Sequence, residues 1–169
     1  MGVTHGVIIL LESDKMRKIL FMNASPNRDG STSRIAEKLL SNKEYDKLQM
    51  SDYEVSQYGV VKDNDQIKDI LNIIKNYDTL VIGSPVYFYT VSGILKTFID
   101  RLYLLDEAKV LEGKDVYFFA DGYSPDKETE ETIKHLITNA SRVVGFNVKG
   151  LVIDNSNGNK ILSELNIEE

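Results

Sequence analysis

The architecture is written in one stretch, Ile19-Leu20-Phe21-Met22-Asn23-Ala24-Ser25-Pro26-Asn27-Arg28-Asp29-Gly30-Ser31-Thr32-Ser33. Ile19 to Met22 is uniformly apolar and follows Arg17-Lys18, the pattern of a buried strand. Beyond the stretch, Ile35, Ala36, Leu39 and Leu40 recur at helical spacing. Residues 23–33 therefore join the carboxyl end of a strand to the N-terminus of a helix. The hydroxyls of Ser25, Ser31, Thr32 and Ser33, the amides of Asn23 and Asn27, and Gly30 crowd into this loop. A helix start has unpaired N–H groups and the positive end of its dipole, so it favours a phosphate. Hydroxyls add donors, and Gly30 lets the backbone approach closely. An ordinary loop with Ser31 as helix N-cap is the competing reading of this stretch taken alone.

Composition narrows the classes. The chain has 169 residues, 42% hydrophobic and 27% charged, which suits one globular domain with a sizeable core. Net charge is -6 and the sequence pI is about 5.0, with no basic cluster, which argues against nucleic acid as a partner. There is no Cys in the sequence, so disulfides, thiolate metal sites and cysteine nucleophiles are ruled out. With only His5 and His135, no protein-ligated transition metal is expected. No apolar run is long enough to span a bilayer. Residues 1–15 read as a leader or extension, because Met16-Arg17-Lys18-Ile19 resembles a natural start. An extra strand at Val7-Ile8-Ile9-Leu10-Leu11 is the alternative. The domain proper is then residues 16–169, and the expected location is the cytoplasm.

Along the chain, strands alternate with helical patterns. A helix is expected over residues 32–40, a weak strand over 45–50 and an amphipathic helix over 66–76. Asp78 to Gly83 is a strand stopped by glycine, and Ser84 to Tyr89 follows as a loop. A helix starts near Ser92 or Gly93. Asp115 to Ala120 is a strand, followed by a turn at Asp121-Gly122-Tyr123. Ser124-Pro125 opens a helix that Gly145 can end. Residues 147–153 form the last strand and 159–165 a short helix. The expected fold class is α/β: a doubly wound, five-stranded parallel sheet with helices on both faces, flavodoxin-like if its strand order is 2-1-3-4-5.

In that order three unusual loops meet at the carboxyl ends of adjacent strands. They are residues 25–33, residues 84–92 with their three successive aromatics, and residues 121–124. A phosphate site beside aromatic walls suits a flat heteroaromatic with a phosphate tail, and in this topology that ligand is FMN. The sequence contains neither G-x-G-x-x-G nor a G-K-[ST] P-loop. A flavin-free regulator would need a phospho-acceptor Asp where Gly83-Ser84 stands.

Two segments carry a family resemblance. A-S-P-N-R-D-G-S-T-S-R (residues 24–34) and I-G-S-P-V-Y-F-Y-T-V-S-G-I-L-K-T-F-I-D-R (residues 82–101) resemble the NADPH-dependent FMN reductase family of flavodoxin-like proteins. The resemblance runs from Arg17 to about Asp154. It implies FMN phosphate held by Ser25, Asn27, Gly30, Ser31, Thr32 and Ser33. It implies the isoalloxazine edge held by Pro85, Val86, Tyr87 and Phe88, with Asp121, Gly122 and Tyr123 flanking the ring. It implies an FMN-dependent NAD(P)H oxidoreductase that passes hydride through FMN to a small acceptor, as a homodimer or homotetramer. No catalytic side chain is assigned, because the flavin carries the chemistry. Asp100-Arg101 is expected to be structural. The loop over 51–65 lacks the clustered cysteines of iron–sulfur relatives, and residues 25–33 do not match the flavodoxin T-x-T-G-x-T loop. A flavodoxin-type electron carrier without direct NAD(P)H turnover is the alternative.

Overall fold

Alternation along each strand decides which helices cover which face of the sheet. The structure is a computed structural model that describes residues 17–60 and 62–168. The expectations for residues 1–15 lie outside the described residues. β1 (Ile19–Asn23) is buried throughout. Its Leu20 and Met22 pack with Leu80, Val116 and Phe118 against one helical layer, while Ile19 and Phe21 pack with Val81, Tyr117 and Phe119 against the other. The first layer contains α2 (Ile67–Ile74), α3 (Gly93–Leu102) and α4 (Lys127–Val144), and the second α1 (Ser31–Leu39) and α5 (Asn159–Glu164). Phe21 and Phe119 stack with ring centroids 6.4 Å apart on the α1 side.

The remaining strands are β2 (Tyr45–Gln49), β3 (Thr79–Tyr87), β4 (Thr90–Val91), β5 (Asp115–Gly122) and β6 (Asn147–Asn155). The main sheet runs β2-β1-β3-β5-β6, all parallel, and β4 pairs antiparallel with β3. This is the expected order 2-1-3-4-5, with the two-residue β4 added to the count. The fold is flavodoxin-like. Among the described residues no helix is long and apolar enough to cross a membrane.

Two boundaries differ in a way that shapes the site. Ser84 to Tyr87 is strand, not loop: Ser84 and Pro85 continue the pairing with Ala120 and Asp121 of β5. The β1 ladder has already ended at Asn23–Gly83, so proline's missing N–H falls where no β1 partner needs it. Likewise β5 continues through Asp121 and Gly122, paired to Asp154 and Asn155. α4 begins at Lys127 and not at Ser124-Pro125, because the Asp126 carboxylate accepts from the Thr129 N–H at 2.8 Å and caps it. Gly145 ends α4 at φ 90°, a left-handed conformation that glycine adopts without a Cβ clash.

Asp100-Arg101 has structural partners. Arg101 is buried, donates to the Ser56 carbonyl at 2.9 Å and pairs with Asp65, fastening the polar loop before α2 onto α3. Lys96 pairs with Asp100 at 2.6 Å along the same helix.

Candidate functional site

The carboxyl ends of β1, β3 and β5 lie side by side, and hydrogen bonds join the loops that leave them. The first loop is anchored by amides at the ends of β1 and β2. Asn23 Nδ2 donates to Gln49 Oε1 at 2.7 Å, and Gln49 Nε2 donates to the Ser25 carbonyl at 2.7 Å. The Ser25 N–H donates to Asn23 Oδ1 at 3.1 Å, and the Asn27 N–H to Ser25 Oγ at 3.1 Å. Ser33 Oγ donates to the Arg28 carbonyl and accepts from Lys47 Nζ at 3.0 Å. Thus the buried hydroxyls of Ser25 and Ser33 shape the loop, while Asn27 and Gly30 stand nearer its surface. The Asn23 amide was read as part of this loop but without its partners, and Gln49 and Lys47 were not anticipated. Their sequence signal is a polar residue closing an otherwise apolar strand at Asn23 and Gln49.

α1 starts without a side-chain cap. Gly30 is its N-cap and supplies no acceptor, whereas Ser92 Oγ caps α3 by accepting from the Leu95 N–H at 3.2 Å. The competing reading, with Ser31 as N-cap, is therefore not met: Ser31 is the first helical residue. The opening N–H groups of α1, on Ser31, Thr32 and Ser33, have no intrahelical acceptor and no cap side chain. A Cβ at Gly30 would come 3.1 Å from Asn27 Cβ, narrowing the loop over these donors. Arg28, Arg34 and Lys47 ring the loop, with Arg28 paired to Asp52 and Arg34 donating to the Asp29 carbonyl at 2.8 Å.

The second loop is a hairpin tied to the first at its base. Ser92 Oγ donates to the Ala24 carbonyl at 2.7 Å, and the Ser92 N–H donates to Ser84 Oγ at 2.9 Å. Val86 pairs with Val91 and Tyr87 with Thr90, leaving Phe88 and Tyr89 at the tip. Both have positive φ, 45° and 64°, the backbone of a tight turn that usually takes Asn-Gly. Two aromatics held there store strain, of order 1–3 kcal/mol each. Phe88 is 96% exposed.

The third loop closes against both. Ser31 Oγ and Thr32 Oγ1 donate to the Asp121 carboxylate at 2.5 and 2.6 Å. Burial pushes the Asp121 carboxyl above its usual range, opposed by these two hydroxyls and by the charge of Arg34. A Cβ on Gly122 would lie 2.8 Å from Val86 Cβ, so only glycine allows β5 and the hairpin to approach this closely. Tyr123 is 98% exposed. Pro85, Val86, Asp121 and Gly122 are thus packed together, while Tyr87, Phe88 and Tyr123 extend from the rim.

These features fit a phosphorylated flavin: uncapped N–H donors and cations on one side, unpartnered aromatic rings on the other. The Asp121 carboxylate is bonded into this cradle through the hydroxyls of Ser31 and Thr32.

Known proteins share the sequence pattern. The family model described as NADPH-dependent FMN reductase matches residues 17–157. An iron–sulfur flavoprotein from Archaeoglobus fulgidus is 32% identical over 96 residues, 50% of this chain and 48% of that protein. The chain spans about half the length of the curated relatives it matches. The Trp repressor binding protein from Bacillus subtilis superposes with a TM-score of 0.63 at 25% identity, over 81% of this chain and 87% of that one. The apo form of an NADH:FMN oxidoreductase superposes at 0.62 with 21% identity, over 88% and 80% of the two chains.

Proposed function

The chain belongs to the NADPH-dependent FMN reductase family, and from that premise we propose that it oxidises NAD(P)H and passes the electrons through FMN to a small acceptor. The proposal covers the FMN-dependent oxidoreductase activity, which the family supports, together with its nicotinamide donor and its acceptor. The observation that carries the proposal is the bonding of three strand-end loops into one cradle with uncapped helix donors.

Bound FMN supplies the electron-accepting ring. The chain's residues bind and orient it. The N–H groups of Ser31, Thr32 and Ser33 receive the phosphate, within the loop that Ser25, Asn27 and Gly30 shape. Pro85, Val86, Tyr87 and Phe88 would border the ring on the hairpin side, and Gly122 and Tyr123 on the β5 side; Asp121, expected beside the ring, is instead bonded to Ser31 and Thr32 at the phosphate end. Hydride transfer needs no protein acid or base, so no side chain is given a catalytic role. The sequence holds no Cys, so it offers no thiolate ligand to the cluster named in the iron–sulfur relatives.

Mixing FMN-loaded protein with NADH or NADPH under nitrogen tests the activity. The flavin band should bleach in a single phase. An electron carrier without NAD(P)H turnover is the second reading, favoured by aromatic residues on both the hairpin and β5 sides; then the band persists until dithionite is added. If Tyr123 covers the ring, Tyr123→Ala should speed bleaching.

A homodimer or homotetramer is also proposed. Tyr87, Phe88, Tyr89, Tyr103 and Leu104 are exposed, whereas the adjacent Leu102 is buried in the core. Exposed apolar clusters of this kind mark interfaces. Light scattering at micromolar protein should give at least twice the 19.1 kDa chain mass; a monomeric mass counts against assembly.

A further inference from the structure

Asp121 is a buried charge for which flavin binding has no evident use. It is 2% exposed, and its two carboxylate oxygens take the hydroxyl hydrogens of Ser31 and Thr32, the first two residues of α1. The carboxylate therefore stands at the positive end of the α1 dipole, where an external anion would bind. A phosphate arriving there meets a like charge and finds two donors already engaged.

The surroundings do little to neutralise this charge. From α1, Arg34 acts on Asp121 through its field, while its guanidinium is bonded to the Asp29 carbonyl. From β6, the register neighbour is another acid, Asp154, whose oxygens accept from the Asn155 and Lys160 N–H groups. Lys160 on α5 pairs with Glu130 on α4, and the β3 neighbour is the uncharged Pro85.

We propose that Asp121 sets the affinity of this cradle for phosphate: ionised, it withholds the Ser31 and Thr32 hydroxyls and repels the ligand, so phosphate binding draws a proton from solvent onto Asp121. The inference rests on the FMN reading of the site and makes phosphate recognition pH-linked. Burial, which disfavours the ionised carboxyl, brings that protonation closer to neutral pH. The phosphate of FMN also ionises near pH 6. The informative quantity is therefore the difference between proteins and between flavins at each pH.

Titration of the whole chain and of Asp121→Asn with FMN and with riboflavin, at pH 5 and pH 8, tests this by flavin fluorescence. At pH 8 the Asn protein should bind FMN about tenfold more tightly than the parent. That advantage should shrink at pH 5, and riboflavin should bind both proteins equally. Asp121→Ala, which removes the charge without an amide, should show the same sign. Equal or weaker FMN binding by both folded variants at pH 8 overturns the role of Asp121. So does an equal gain for riboflavin, which has no phosphate. If neither flavin binds any of the proteins, the FMN reading falls and this inference with it.

Discussion

Arg101→Met should lower the unfolding free energy by about 3–5 kcal/mol, the usual cost of leaving one member of a buried ion pair without its partner. The Arg101 and Asp65 side chains are 9% and 7% exposed. Burial works against the Asp65 charge. Hydrogen bonds from Arg101, the Ile67 N–H, the Ser56 hydroxyl and the Ser56 N–H outweigh it and bring the carboxyl down to about 2. A carboxyl whose folded pKa is depressed stabilises the fold above its unfolded value, and loses that contribution as pH falls through the folded value. The gap between parent and variant should therefore be full near neutral pH and narrow as pH falls from about 4 toward about 2. Urea unfolding across that range checks both the size and the direction. A gap under about 1 kcal/mol at pH 7, the range of an exposed pair, would show that the loop over residues 53–66 is held by other contacts.

Ser31→Pro should weaken FMN binding by about ten- to a hundredfold, while riboflavin binding changes little. Proline at the first helical position keeps the helix, because that N–H has no intrahelical partner. Gly30, the preceding residue, is at φ -75° and ψ -172°, extended enough to precede proline. The substitution thus removes one N–H donor, and a charge-assisted hydrogen bond is worth roughly 1.5–3 kcal/mol. It also removes the Ser31 hydroxyl from Asp121, leaving Thr32 as that carboxylate's remaining hydroxyl donor. Isothermal titration with both flavins, beside a thermal melt, separates lost phosphate binding from lost folding. Unchanged FMN affinity in a folded variant would remove the α1 N-terminus from the phosphate site.

Much of the fold was legible because burial on two faces leaves short apolar runs, and the turn glycines mark their ends. Ile19 to Met22 and Val116 to Phe119 are continuous apolar runs, and the structure sends their alternate residues to opposite layers. The end of β3 was less legible. Gly83 looked like a stop, yet a Cβ there would lie 2.4 Å from Phe119 Cζ and 2.8 Å from Thr32 Cγ2, so this glycine serves close packing inside a continuing strand. The hairpin tip gave no turn signal, since Phe88 and Tyr89 occupy positions where Gly or Asn normally mark positive φ. Side-chain bonds over long separations were not legible at all. Ser31 and Asp121 are 90 positions apart, and Asp65 and Arg101 are 36 apart, so the tertiary fold and not local spacing brings each pair together. Residue type gave the donors at the first loop, but not which of them the protein uses internally.

On the proposed function, FMN binds where the loops after β1, β3 and β5 meet. Titrating isotope-labelled protein with FMN while following backbone amide resonances locates the site. The amides of Ser31, Thr32, Ser33, Gly122 and Tyr123 should shift together and saturate together, with those of Val86 to Phe88. Shifts confined to the groove of about 380 Å³ lined by Tyr58, Tyr103, Val143 and Val144, with the α1 amides unmoved, would contradict it.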